Sequence, residues 1–431
     1  MNILNIKNLY FLLISIFLFS FFACKNEKKT PTSEAISYHL PAEFEPQEAV
    51  WIAFPNIEHR VGFSNQKAVA QIIANLLPYT PVNFIVPNDS ALQVFKPNLP
   101  DSIWKNPNLK IFKTHYAGFW MRDNGPQTIK ASNGEKVMLD LNFNAWGYSD
   151  TLTEKTDEIL DVNIANQLKM KVLHTSMIHE GGDTEVNGKG TLIVVEAVEK
   201  QRNPNWSIAQ MEAEFKRIMG VKKVIWLKKG VYEDDFSFES PINVANGEKA
   251  YTVLTTGGHI DEFCRFANEN TLLLADIDIE EAKNDPVAAE NKRRMDVNYE
   301  ILKNATDQDG KPFRIVRMPS PITQVATLTP KDGSYQLLSE LKYSNNHVFP
   351  KGKNIKAIIA SSYLNFLISN GVVLAQKYYT GKNSLEFKHR DEEARSVLQS
   401  VFPDKKIILL DNAAVNWGGG GIHCITMQQT K

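Results

Sequence analysis

The chain has 431 residues, enough for one large or two ordinary domains. Its 43% hydrophobic and 23% charged content is that of a globular protein with a full core. A net charge of -1 and a pI near 6.8 give no electrostatic ground for binding nucleic acid or an anionic surface.

The first segment in chain order is MNILNIKNLYFLLISIFLFSFFAC, in which Lys7 is the sole early charge and residues 9–23 are almost wholly apolar. That stretch is long for the apolar region of a signal peptide and short for a membrane span. It ends at Ala23-Cys24, followed by the polar KNEKKTPTSE. A small residue before a cysteine resembles the bacterial lipoprotein cleavage box, with Phe21 and Phe22 in place of its usual Leu and small residue. The expectation is a signal peptide over 1–24, lipidation of Cys24, a flexible tether over 25–38 and a folded domain over 39–431. The protein would then be exported and held at the membrane of the bacterial cell envelope. An ordinary secretory signal or an uncleaved anchor is the alternative, and both also lead out of the cytoplasm. Cys264 and Cys424 are the remaining cysteines. They are no disulfide framework, and a nucleophilic Cys424 would exclude even one bridge.

Apolar, β-rich runs follow at 49–55, 82–87, 136–143, 191–198, 221–227, 251–256, 271–277, 313–318, 355–361 and 406–411. Helical patterns lie between several of them, at 66–77, 156–170, 205–219 and 392–402. This alternation predicts an α/β protein. Residues 362–376 read as a hairpin with Asn370-Gly371 as a type I′ turn. The charged segment 278–310 reads as surface helix. No stretch resembles an interdomain linker, and no strict repeat is visible.

Four stretches combine ionisable residues with glycines or aromatics: FWMRDNGP (119–126), HEGGDTEVNGKGT (179–191), TGGHIDEF (256–263) and GGGGIHC (418–424). Each has an ordinary reading. Arg122-Asp123 is what a salt bridge looks like, Glu180 before two glycines fits a solvated turn, and a lone cysteine after an isoleucine is commonly buried and inert. His259 and Asp261, two apart, would share one face of an extended strand. That spacing suits a base and a substrate carboxylate, and equally two metal ligands. Together, the four ask for one chemistry. Two carboxylates grip a planar cation such as guanidinium through paired hydrogen bonds. A thiolate attacks its central carbon. A histidine protonates the leaving ammonia and then activates water, held in place by a second acid. The glycine run lets the backbone come close enough for the thiol to meet the substrate face-on.

In the same order, WMRDNGP, EGGDTEVNGKGT, GHIDEF and GGGGIHC, with RNP at 202–204, resemble the motifs of the agmatine deiminase and Porphyromonas-type peptidylarginine deiminase family. The likeness runs from about residue 39 to 428. It implies the pentein fold, an α/β-propeller of five ββαβ-type units around a pseudo-fivefold axis with the site in the central channel. It implies no cofactor and no metal. It also implies roles: Cys424 as nucleophile, His259 as general acid and base, and Asp123 and Asp261 as the guanidinium-binding pair. Glu180 would contact the histidine or the substrate, and Trp120 would line the substrate's aliphatic stem. Asn365, in the first strand of the hairpin, is a further pocket residue, and Cys264 is structural.

Within the family, the far end of the substrate distinguishes the branches. Relatives that take a C-terminal arginine bind its carboxylate with arginines after the RD motif. The matching stretch here, LDLNFNAWGYSD (139–150), contains no Arg or Lys. It resembles the agmatine branch, with Asp140, Trp146 and Asp150 available for an amine. The expectation is hydrolysis of agmatine to N-carbamoylputrescine and ammonia through a covalent amidino intermediate on the cysteine. Export speaks for the runner-up, deimination of free or peptidyl arginine to citrulline. A catalytically inactive guanidine-binding lipoprotein is a third reading. A metal hydrolase built on His259, Asp261, His179 and His423 is a fourth, without an HExxH or Cys-pair spacing to support it.

Overall fold

The apolar runs become strands because most are buried on both faces. All five residues of Val82–Val86 and all five of Thr191–Val195 are buried. A run of that kind belongs to the interior of a sheet flanked by helices. The structure is a computed structural model that describes residues 36–148, 151–239, 241–344 and 346–431. The leader, Cys24, most of the tether and Asp150 lie outside the described residues. Ser37–Lys431 forms one compact unit, with strands and helices mixed along its length.

Among the described residues, five of six sheets share one strand pattern: an antiparallel pair, a hairpin in four of them, then a helical crossover and a strand parallel to the pair's second strand. Gln127–Ala131 pairs with Lys136–Asp140, and Lys171–His174 joins in parallel. Glu185–Val186, Thr191–Val195 and Lys223–Leu227 repeat the pattern, as do Cys264–Asn268, Thr271–Asp276 and Arg314–Pro319. Leu367–Ile368, Val372–Lys377 and Lys406–Asp411 form the next. In the last, Thr426–Thr430 pairs antiparallel with Gln47–Ala53, and Val82–Val86 and Leu109–Lys113 extend it in parallel. The two ends of the domain are therefore joined in one sheet. The sixth sheet, Ile242–Asn243, Lys249–Thr252, Ile355–Ile358 and Val325–Leu328, departs from the motif and was not anticipated.

The helices carry the expected stops. Ser207 and Gln210 form a capping box on Ile208–Met219, which ends at Gly220 in the left-handed conformation. Several sequence readings need correction. The run at 191–198 is strand only to Val195, and Glu196–Arg202 is helix. The pattern at 156–170 is two helices, Thr151–Asp157 and Leu160–Leu168. The 362–376 hairpin exists, but its first strand is only Leu367–Ile368, so Asn365 precedes it. Its turn is not type I′, because neither Asn370 nor Gly371 has a positive φ. The Asn370 side chain instead bonds the backbone N–H and C=O of Gln47, at 2.9 and 3.0 Å, which anchors the turn to a neighbouring strand.

Candidate active site

The RD motif forms one short helical turn, Met121–Asn124, closed by Gly125. A Cβ at Gly125 would stand 2.2 Å from the Met121 carbonyl oxygen, so only glycine closes the turn there. The Arg122 N–H donates to the Cys424 carbonyl at 3.0 Å, which ties this turn to the glycine run. Arg122 does not pair with Asp123. It is buried, with Nη2 3.6 Å from Glu43. The Gly181-Gly182 pair packs under the same turn. The Gly182 N–H donates to Asp123 Oδ1 at 3.0 Å, and a Cβ there would lie 2.3 Å from His259 Nδ1. Trp146 donates its indole N–H to Asp123 Oδ2 at 2.8 Å. Ala145 and Trp146 hold that position with φ of 54 and 56 degrees, left-handed values that are strained for residues other than glycine.

His259 and Asp261 are not on a strand. Ile260–Glu262 is a turn of 3-10 helix with His259 at its N-cap. Asp234 builds the loop ahead of it, accepting from the N–H groups of Thr256, Gly258 and His259 at 2.9, 3.0 and 3.2 Å. His259 Nε2 meets Glu180 Oε2 at 3.1 Å, and Glu180 Oε1 accepts from Arg202 Nε at 2.6 Å. This explains the RNP segment, whose arginine also donates to the Thr256 carbonyl at 2.6 Å. His259 Nδ1 has no hydrogen-bond partner among the described residues and lies 3.7 Å from Asp123 Oδ1.

Cys424 follows a loop that other side chains would block. Gly419 has a φ of 107 degrees, and a Cβ on Gly420 would lie 2.7 Å from the Trp120 ring and 2.9 Å from Cys424 Sγ. Asn365 is the hub beside the thiol. Its Nδ2 lies 3.0 Å from Sγ, 3.1 Å from Asp261 Oδ2 and 2.9 Å from Glu262 Oε1, while its Oδ1 accepts from the His423 N–H at 3.0 Å. Sγ lies 3.8 Å from Asp261 and 3.7 Å from Glu262. Cys424 and Cys264 are separate free thiols, and Cys264 is buried in a strand.

These groups perturb one another strongly. Against burial, Asp123 above all, then Glu180 and Asp261, hold His259 up at about 10. Against burial, Arg202 and then His259 hold Glu180 down at about 2. Burial pushes Asp123 up to about 6 despite His259. Burial, then Asp261, Glu262 and Asp123, push the Cys424 thiol well above its ordinary range. At neutral pH the site therefore holds a thiol and an imidazolium with Glu180 and Asp261 ionised, while burial and then Asp261 push Glu262 well above its ordinary range.

Trp120, Asp123, Trp146, Leu254, Thr255, Thr256, Gly418, Gly419 and Cys424 line one small cavity. Trp120 stacks on Phe119 and meets Trp146 edge-on. Glu180, Asp261 and Asn365 are buried and are not part of this lining. Asp140 is occupied by His174 and the Asn142 N–H. The four residues of the metal reading do not converge, since His179 is engaged by Glu199 and Thr184. Among the described residues, Asp261, Glu262 and Cys424 are the group whose ligand atoms come within 4.8 Å of one another. Glu262 and His423 stood inside quoted motifs without a role in the expected chemistry. Glu43 and Asp234 carried no sequence signal.

A cysteine and a carboxylate on one cavity, with an imidazolium 3.7 Å from that carboxylate and a second carboxylate 3.8 Å from the thiol, suit a cysteine-dependent site for a small planar cation. The family model of the Porphyromonas-type peptidyl-arginine deiminases matches residues 39–430, and the chain belongs to that family. It is 29% identical over 410 residues to an agmatine deiminase of Pseudomonas putida, covering 92% of this chain and 97% of that one. It is 30% identical over 412 residues to an agmatine deiminase of Pseudomonas savastanoi pv. phaseolicola, with the same coverage. The solved agmatine deiminase of Enterococcus faecalis superposes with a TM-score of 0.70 at 25% identity, over 92% of this chain and 96% of that one. A C. jejuni agmatine deiminase with substrate bound gives 0.66 at 21% identity, over 92% and 98%, a likeness that speaks for the fold alone.

Proposed function

We propose that this protein hydrolyses the guanidino group of agmatine, giving N-carbamoylputrescine and ammonia. The observation that carries the reading is that Cys424 Sγ and the unpartnered His259 Nδ1 belong to one cluster of buried carboxylates: Asp123 lies 3.7 Å from the imidazole and lines the cavity with Cys424, and Asp261 lies 3.8 Å from Sγ. Asp123 and Asp261 take the guanidinium between them; Asp261 Oδ1 has no hydrogen-bond partner among the described residues. The cation offsets the carboxylates that raise the thiol, so Cys424 ionises as substrate binds. The thiolate forms a C–S bond to the guanidinium carbon. His259 gives the Nδ1 proton to the departing nitrogen, the C–N bond breaks and ammonia leaves. His259, now neutral, takes a proton from water as it attacks the amidino carbon. The C–S bond then breaks, releasing the ureido product and the thiolate.

Agmatine is favoured over arginine because the described wall, Trp120, Trp146, Leu254, Thr255 and Thr256, offers no cation for a substrate carboxylate. The names of the relatives agree. Free or C-terminal peptidyl arginine is the second reading, favoured by the leader. We also propose that the five units of the shared strand pattern surround a pseudo-fivefold axis, and that residues 1–24 direct export with lipidation at Cys24. No helix among the described residues is long and apolar enough to cross a membrane.

The test is release of ammonia and ureido product from agmatine, arginine and a peptide with C-terminal arginine, with Cys424→Ala as control. Turnover of agmatine, abolished in the variant, is expected. Turnover of the peptide alone would overturn the substrate assignment. No turnover of any would leave a guanidine-binding protein.

A further inference from the structure

His423 stands next to the nucleophile, and both of its ring nitrogens face carboxylates. Nδ1 is 2.7 Å from Asp261 Oδ2, and Nε2 is 2.7 Å from Glu43 Oε2. His423 and Asp261 are each 1% exposed and Glu43 8%. Glu43 is fixed in turn. Arg265 Nη2 donates to it at 2.8 Å, and the Ile368 N–H donates to its other oxygen at 2.6 Å. Arg265 is held in turn by Glu185 and by the carbonyls of Leu364 and Phe366. The chain of contacts runs from Arg265 through Glu43 and His423 to Asp261. It ends on a carboxyl whose second oxygen has no hydrogen-bond partner among the described residues.

A neutral imidazole has one N–H and can donate to one carboxylate only. A ring lone pair pointed at a carboxylate oxygen at 2.7 Å is repulsive. Two such contacts therefore require one proton beyond those of a neutral ring and two carboxylates. The groups facing the ring are Asp261, Glu43, Arg122 and Arg265. Burial and the two arginines work against an imidazolium. The same arginines hold Glu43 as a carboxylate, far below the usual range despite its burial. Against burial, the hydrogen bond and charge of His423 hold Asp261 below its ordinary value, so the extra proton stays on the ring, in its hydrogen bond to Asp261, and both ring nitrogens carry N–H.

We propose that His423 is a positioning residue for the deimination. It clamps Asp261 Oδ2 through a proton-holding bridge to Glu43, so that Oδ1 is oriented toward the substrate cation. This rests on the reading of Asp261 as a guanidinium ligand. It explains why the residue before the nucleophile is a histidine, whose two opposed ring nitrogens can span two carboxylates, which the amide of asparagine cannot.

Two measurements test it. The first needs no turnover. In substrate-free protein with 15N-labelled histidine, two strongly deshielded ring N–H protons are expected on one ring, both lost in His423→Asn. A ring with one N–H and one lone-pair nitrogen would overturn the bridge, whatever the protein's substrate. The second is kinetic. His423→Asn keeps a donor for Asp261 but loses the bridge. It should raise the KM for agmatine roughly tenfold with a smaller change in kcat. The acid limb of kcat/KM should move up by about one pH unit. Glu43→Gln should shift the same limb in the same direction by less. A fall in melting temperature with KM and the acid limb unchanged would reduce His423 to a packing residue. If the wild type turns over no guanidine, the failure lies with the functional reading, and the resonance experiment still decides the bridge.

Discussion

At the scale of single residues, the site depends on side chains that hold the reacting ones. Asn365 holds one amide nitrogen, with two N–H donors, within 3.1 Å of Sγ, Asp261 and Glu262, which share it. Asn365→Ala removes the donor that Sγ, Asp261 and Glu262 share, and should lower kcat/KM roughly a hundredfold. Asn365→Asp should be worse, since it adds a further negative charge. Activity retained in Asn365→Asp and lost in Asn365→Ala would show that only the shape of Asn365 matters. Trp146 poses a sharper test through pH. Its hydrogen bond lowers the Asp123 pKa, which burial has already raised to about 6. Trp146→Phe removes that bond, so Asp123 must rise further and the acid limb of kcat/KM must move to higher pH. Glu180→Gln acts on the other limb. Glu180 is a main reason His259 stays protonated, with a value of about 10. Without that charge His259 falls toward its ordinary value, and the alkaline limb moves to lower pH. A profile unchanged on that side would remove His259 as the acid.

At the scale of elements, the glycines of the four motifs answer two demands: Gly188, Gly190, Gly257, Gly258 and Gly419 have positive φ, while Gly125, Gly181, Gly182, Gly418, Gly420 and Gly421 leave no room for a Cβ. Gly182 and Gly420 are the decisive pair, since each leaves room for catalytic groups to meet. Gly420→Ala should displace Cys424 or Trp120 and lower kcat/KM by roughly a hundredfold, as a 1 Å misplacement can. Gly134 is the control. It has a φ of 85 degrees and nothing within 4 Å of an added Cβ, so Gly134→Ala should cost stability of about 1 kcal/mol and leave kcat/KM alone. The same contrast shows what was legible in the sequence. Strands buried on both faces announced themselves as unbroken apolar runs. Leu109–Lys113, an edge strand, and Thr426–Thr430, a mostly polar segment, did not. The motifs at 119–126, 179–191, 256–263 and 418–424 were visible because their glycines are local to the groups they admit. Glu43 was invisible because its partner His423 is 380 residues away. His259 and Asp261 were expected on a strand, because alternation in sequence does not distinguish a strand from a 3-10 turn held by Asp234.

At the scale of the whole molecule, the site collects like charges in a buried volume, and stability must reflect it. His259 is the cation that reconciles Asp123, Glu180 and Asp261. Its pKa rises on folding from 6.5 to about 10. Between those values the folded state binds more protons than the unfolded one, so this contribution is complete below pH 6.5 and disappears as pH rises through 10. Both thiols are also raised, by burial first, and they lower stability further above pH 9. The melting temperature should therefore fall steadily from pH 7 to 10. His259→Gln isolates the histidine. At pH 7 it leaves the carboxylates without their cation and should be less stable than the wild type by on the order of a few kcal/mol. By pH 10 the wild-type ring is itself losing its proton, so the two melting curves should converge. A stability gap that stays constant across this range would mean that His259 contributes packing rather than charge. The electrostatic account of the site, with its protonated acid and its substrate-triggered thiolate, would then fail with it.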